Sequence, residues 1–211
     1  MNQRKWLILT ALAMEAKAVL SEFRPGLPED VNLRVIGIAG RRLDQNAFRG
    51  VDGGVILAGL GGALDPELTM GEVVVDAAPD GFWGALPFRR CKIHTSDHLI
   101  SSIAEKRQLF IDTGCAAVDM EGAIVRRLAE SSGIPILHIR AISDTAAEAL
   151  PERMINWIDD VGEPVFPRIA ADMILYPSQI STMIRVGKNS RVALSSLARA
   201  VRQIVQSRID S

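Results

Sequence analysis

Four short stretches carry side chains able to do acid–base or polar chemistry. Glu15 follows the apolar run 5–12, and the glycine-rich Gly59-Leu60-Gly61-Gly62-Ala63-Leu64-Asp65-Pro66 follows the apolar run 55–58. Ala117-Val118-Asp119-Met120-Glu121-Gly122 and Arg140-Ala141-Ile142-Ser143-Asp144-Thr145-Ala146 each pass from apolar residues into a carboxylate. A carboxyl group in a crevice shielded from water keeps its proton to higher pH and can act as a general acid, while an ionised one can act as a general base. Glycines at 59, 61 and 62 let backbone N–H groups approach a ligand closely. Each stretch also has a structural reading. Asp119 suits the N-cap and Glu121 the first turn of a helix, and Ser143, Asp144 or Thr145 could cap the helix that follows. Glu15 could be an ordinary first-turn glutamate, and Gly59 to Gly62 a tight turn that needs positive φ. A dinucleotide-binding loop is disfavoured, because its third glycine is missing and Pro66 interrupts the helix that should open there.

Short apolar runs must position these residues. Residues 6–12, 33–39, 55–58, 72–75, 92–95, 116–118 and 134–141 read as strands, several apolar throughout, as expected of a sheet buried on both faces. Residues 15–23, 102–112 and 120–132, with further segments after Glu148, read as helices. Pro25 and Pro28 end the first helix, and Gly133 and Pro135 separate the third helix from the next strand. Alternating strands and helices predict an α/β layered domain in which all four stretches lie at carboxyl ends of strands. Such ends converge on one side of a parallel sheet, where open α/β sheets bind ligands.

The 211 residues, 48% hydrophobic and 23% charged, fit one globular domain over 1–211. A net charge of -1, without a dense basic run interleaved with aromatics, argues against nucleic-acid binding and favours a small ligand. The two cysteines, Cys91 and Cys115, form no CxxC pair, which fits a reducing cytoplasm. His94 and His98 straddle a strand–loop junction and do not share a helix face, and His138 sits in an apolar strand, so no metal is expected. Residues 176–211 form a basic, amphipathic helical C-terminal extension, with Arg185, Lys188, Arg191, Arg199, Arg202 and Arg208 against the single acidic Asp210. Its apolar positions Leu194, Leu197, Val201 and Ile204 suit docking on the domain or weak, peripheral contact with an anionic membrane.

The paired stretches 117–122 and 140–146 resemble the signatures of the nucleoside phosphorylase and nucleosidase superfamily. The likeness is closest to methylthioadenosine/S-adenosylhomocysteine nucleosidases and to hopanoid-associated phosphorylases, whose substrate carries adenosine on a hopane lipid. It spans about residues 5–165 and implies a three-layer phosphorylase/hydrolase-like fold, a central mixed, mostly parallel sheet flanked by helices. The implied reaction cleaves the N-glycosidic bond of a purine nucleoside, by hydrolysis or phosphorolysis. By the same resemblance Asp144 protonates or hydrogen-bonds the purine, Glu15 activates water, Glu121 holds the ribose hydroxyls and Met120 packs on the sugar. Ser143, Leu99 and Ile100 lie at the base, and Gly59, Leu60, Gly61 and Gly62 form the loop for the nucleophile or phosphate. No cofactor is implied beyond inorganic phosphate as co-substrate of a phosphorylase. A homodimer is implied, cytoplasmic, with a lipid-linked substrate such as adenosylhopane suggesting peripheral contact with the inner face of the membrane.

The chain departs from that pattern at Leu60, where a hydroxyl residue is usual, and at Leu99, where an aromatic residue usually stacks on the base. No arginine-bearing glycine loop follows the first strand, which favours hydrolysis, although Arg41, Arg42 and Arg49 could take phosphate. Leu60 and Leu99 also motivate an alternative, a nucleoside-binding protein of the same fold that has lost turnover.

Overall fold

The computed structural model describes residues 4–44, 46–77, 82–159 and 162–209, with only the backbone of residue 209. Asp210 lies outside the described residues. The strands are β1 (Trp6–Thr10), β2 (Val31–Val35), β3 (Gly54–Ala63), β4 (Val73–Ala77), β5 (Arg89–Arg90), β6 (Ile93–Thr95), β7 (Ala117–Asp119) and β8 (Ile136–Asp144). The α-helices are α1 (Ala13–Ser21), α2 (Ile103–Thr113), α3 (Gly122–Ser131), α4 (Phe166–Leu175) and α5 (Ile180–Ile209). The main sheet runs in the order β2-β1-β3-β8-β4-β5, while β7 branches from the end of β3 and pairs with β6. Pairings β1–β2, β1–β3, β3–β8, β4–β5 and β6–β7 are parallel, and β3–β7 and β4–β8 antiparallel. The sheet is thus mixed and mostly parallel, flanked by helices, as the family resemblance implies.

Both faces of the central strands are apolar because both are covered. Trp6, Ile8, Ile56, Ala58, Leu137, Ile139 and Ala141 face one core with Val19 of α1 and Ala193, Leu197, Val201 and Ile204 of α5. The alternate positions Leu7, Leu9, Val55, Leu57 and Ile136 face the other, with Val125 and Ala129 of α3 and with Ala47 and Phe48. Side chains alternate across a strand, so a strand apolar at every position has to be an inner layer.

Three expectations are corrected. The stretch 33–39 is not one strand: β2 ends at Val35, Gly37 has φ 74°, and residues 38–40 form a 3-10 turn. The glycine-rich stretch is not a tight turn. Gly59, Gly61 and Gly62 are residues of β3, registered against β8 on one side and, at Gly62, against β7 on the other. No helix directly follows Asp144, which is the last residue of β8, so its carboxylate is not a helix cap. The C-terminal helix is present, but Leu197, Val201 and Ile204 are 0–1% exposed against the sheet. That apolar stripe is therefore core, while Ile184 and Val192 of the same helix stay half exposed. Among the described residues no helix is long and apolar enough to cross a membrane.

Candidate active site

Glu15, Glu121 and Asp144 line a single cleft together with Met120, Ser143, Leu99, Ile100, Leu60, Gly61 and Gly62. Gly59 lies just behind its wall. Glu15 and Asp144 arrive by parallel strand ends, as expected. Glu121 arrives differently: β7 runs antiparallel to β3, with Gly62 opposite Val118, so its carboxyl end is carried back along β3 towards Gly59. The β3–β8 register shifts between Gly61 and Gly62, a bulge beside Ser143 and Asp144 of the kind that re-aims side chains at a site.

Glu15 sits in the first turn of α1, 2% exposed, and both its oxygens are occupied by backbone donors. Oε1 accepts from the Leu60 amide at 2.8 Å and Oε2 from the Leu12 amide at 2.9 Å. Burial pushes its carboxyl above the usual range, and the charge of Arg140 offsets part of this. Glu121 accepts from the Ala39 amide at 3.0 Å and lies 3.3 Å from the Arg140 guanidinium. Burial, only partly countered by Arg140 and reinforced by Asp119 and Glu15, raises it to about 7. Asp144 accepts from the Ser143 hydroxyl at 2.8 Å and from the Lys106 ammonium at 2.5 Å. Its carboxyl is raised by burial against the pull of Lys106.

The residue that organises this charge is Arg140, 1% exposed in the middle of β8. Its guanidinium donates to Asp119 and to Glu121. Asp119 also accepts from Thr95 at 2.9 Å, from His138 at 2.9 Å and from the Gly122 amide at 2.9 Å. Burial opposes ionisation of Asp119, but Arg140 and His138 outweigh it and hold its carboxyl well below the usual range. Asp119 ends β7 two residues before Glu121, which is the N-cap of α3, so neither residue holds the helix position expected of it; the Asp119 carboxylate takes the Gly122 amide and anchors the guanidinium beneath the cleft.

The glycines of β3 make this arrangement possible. A Cβ on Gly59 would lie 2.7 Å from Nη1 of Arg140 and 3.0 Å from Oε1 of Glu15. On Gly62 it would lie 3.0 Å from Oδ2 of Asp144. Their use is close approach, as the sequence suggests, with side chains as the immediate neighbours.

Arg41, Arg42 and Arg49 are exposed and do not line the cleft. Among the described residues no group of three or more His, Cys, Asp or Glu is placed to hold a metal ion. Three residues escaped the sequence reading. Arg140 was signalled, since a charge inside the apolar run Ile-Leu-His-Ile-Arg-Ala-Ile needs a buried partner. His98 lines the cleft, its two ring nitrogens against Asp97 and Glu105, which raise its proton affinity. Lys106, flanked by Glu105 and Arg107, looks in sequence like part of a solvated helix face.

A sequence family described as the Phosphorylase superfamily matches residues 77–164, which include β6, α2, β7, α3 and β8 with Glu121 and Asp144. The chain has the phosphorylase-superfamily fold. The superfamily fold extends over nearly the whole chain in comparison with solved structures. Futalosine hydrolase of Helicobacter pylori superposes with a TM-score of 0.67 at 17% identity, covering 97% of this chain and 98% of the other. A mutant of the Helicobacter pylori methylthioadenosine nucleosidase, with 5′-methylthioadenosine in its active site, gives 0.68 at 16% identity, covering 97% and 99%. The Arabidopsis thaliana 5′-methylthioadenosine nucleosidase gives 0.65 at 15% identity, covering 97% and 96%. Identities this low establish the superfamily fold, not the substrate. No curated protein matches the sequence.

Proposed function

We propose that this protein hydrolyses the N-glycosidic bond of a purine nucleoside. The observation that carries the reading is the convergence of three buried carboxyl groups on one apolar cleft, two held by an arginine and a lysine and one by backbone amides. Burying charge in this way is costly to stability and is characteristic of sites that move protons. Bond breaking leaves positive charge on the ribosyl carbon and requires a proton on the departing base. In this reading Asp144 supplies the proton, Glu121 accepts hydrogen bonds from the ribose hydroxyls, Met120 packs on the sugar, and Glu15 takes the proton of the attacking water. Ser143, Leu99 and Ile100 surround the base.

Hydrolysis is preferred to phosphorolysis because Arg41, Arg42 and Arg49 are exposed and, among the described residues, no arginine lines the cleft. The apolar wall formed by Ile38, Leu150, Met154, Ile155 and Ile158 supports an uncharged substituent on the ribose 5′ carbon. That class contains methylthioadenosine and lipid-linked adenosines such as adenosylhopane. Membrane contact with a lipid-linked substrate would rest on the basic face of α5. The proposal includes a homodimer, for which Ile103 and Ile111, 46% and 65% exposed on α2, offer apolar surface.

The test is release of free base from a panel of purine nucleosides with varied 5′ groups, with and without phosphate. Release in phosphate-free buffer is the expected result. A strict need for phosphate would replace the hydrolase by a phosphorylase, and nucleoside binding without release would identify a non-catalytic binding protein.

A further inference from the structure

Helix α2 buries one residue, and it is a lysine. Its cap residues are ordinary: the Ser102 hydroxyl accepts from the Glu105 amide and Gly114 closes the last turn in the left-handed region. Lys106 is 0% exposed, and its three ammonium protons have three acceptors. These are Oδ2 of Asp144 at 2.5 Å, the Thr145 carbonyl at 2.8 Å and the Glu148 carbonyl at 2.8 Å. An apolar residue could tie α2 to the 144–148 turn without burying a charge. The ammonium is spent on one side chain, that of Asp144.

We propose that Lys106 is a positioning residue, which orients Asp144 and stabilises the negative charge that appears on it when its proton passes to the leaving base. The inference rests on the reading of Asp144 as the acid. As the bond from the ribosyl carbon to the base breaks, its electron pair goes to the base. The Asp144 O–H bond breaks and an N–H bond forms on the base, leaving a carboxylate against the ammonium. Water adds to the ribosyl carbon and its proton goes to Glu15. Lys106 attracts the carboxylate formed in this step more strongly than the neutral acid, so it lowers the barrier and leaves ground-state binding nearly unchanged.

The other groups facing the pair are accounted for. Ser143 donates to Oδ1 of Asp144. The Glu148 carboxylate is engaged by Thr145 and by Arg185 and Asn189 of α5. Glu15, Glu121 and His98 share the cleft, and Arg140 is held by Asp119.

The experiment compares wild type, Lys106→Met and Lys106→Arg, by kcat and KM for base release across pH and by 13C NMR titration of the Asp144 carboxyl, assigned through Asp144→Asn. Lys106→Met should lower kcat by about 100-fold, the scale of one acid–base contribution, with KM nearly unchanged. Loss of the cation raises the carboxyl, so the alkaline limb of kcat and the NMR midpoint should both move up by about one pH unit or more. Lys106→Arg should recover most of kcat and return the limb. If the methionine variant does not fold, Lys106→Gln carries the same measurements. Equal change in kcat and KM with limb and midpoint unmoved would make Lys106 a structural tie and overturn the proposal. Should wild type release no base from any nucleoside, the proposed function fails, and the NMR midpoint still decides: an unmoved value overturns the link between Lys106 and Asp144.

Discussion

Gly59 and Arg140 are register partners on β3 and β8, and a single methyl group on the glycine would lie 2.7 Å from the arginine's Nη1. The guanidinium cannot retreat without leaving Asp119, and on its other side the same methyl meets Glu15. Gly59→Ala should therefore displace the charges beneath the cleft. We expect a stability loss of about 1–3 kcal/mol, the usual cost of overpacking, and a fall in base release larger than that loss explains. Denaturant titration and kcat/KM on the same preparation check this, and wild-type activity in the variant would remove the Gly59–Arg140 contact from the site's support.

The Glu121 carboxyl, raised by burial from 4.5 to about 7, makes a sign-definite contribution to stability. A carboxyl raised in the folded state binds its proton more tightly there than in the unfolded chain. Folding is therefore favoured below about 4.5 relative to above 7, and stability is lost as pH rises through this window. At ~1.4 kcal/mol per unit the cost at pH 8 is at most roughly 3 kcal/mol. Glu121→Gln should raise Tm at pH 8 and not at pH 4.5, while Arg140 keeps Asp119 as its partner. The same variant should weaken ribose binding, since an amide has one acceptor oxygen. A Tm gain equal at both pH values would exclude ionisation as its cause.

Asp144→Asn should abolish base release, because an amide cannot deliver a proton. It should also destabilise the fold, by up to about 3–5 kcal/mol on the scale of a broken buried ion pair, since the amide oxygen can still accept from the Lys106 ammonium but no longer supplies a counter-charge to it. Adding Lys106→Met should restore much of the stability and none of the activity. Thermal melts and base release on the single and double variants separate the two effects, and a double variant no more stable than Asp144→Asn would refute the pairing argument.

Leu197→Ala, at a fully buried position of α5, should cost about 2–5 kcal/mol. A substitution on a helix merely resting on the domain would cost far less, so a loss below 1 kcal/mol in a urea titration would contradict the packing of α5 on the sheet.

The layered sheet was legible because apolar runs such as Trp6-Leu7-Ile8-Leu9 have no polar alternation and must be covered twice. The meeting of Glu15 and Asp144 was legible because carboxylates at the ends of parallel strands converge on one side of the sheet, whereas Glu121 reaches the same cleft on antiparallel β7, a pairing that strand order in sequence does not reveal. The glycine stretch was open to two readings, close approach and a tight turn, because composition does not distinguish glycine needed for φ from glycine needed for room. That distinction lies in Arg140, eighty-one positions later in the chain, which reaches back across β3. Lys106 was invisible for a similar reason: helical spacing places it on a polar helix, and only the 144–148 turn folding over it takes the ammonium out of water.

Helix α5 is made after every other described element, yet it covers the face of the sheet that holds Ile8, Ile56, Leu137 and Ile139 and supplies the Arg185 and Asn189 that grip Glu148. Domains fold as units while the amino-terminal part emerges first from the ribosome. Until α5 follows, the growing chain can carry all three carboxyl-bearing strand ends but has a bare apolar sheet and an unanchored turn beside Asp144. Translation thus imposes an order on assembly: the apolar face of the sheet is made before the helix that covers it, and the turn beside Asp144 before the Arg185 and Asn189 that hold it.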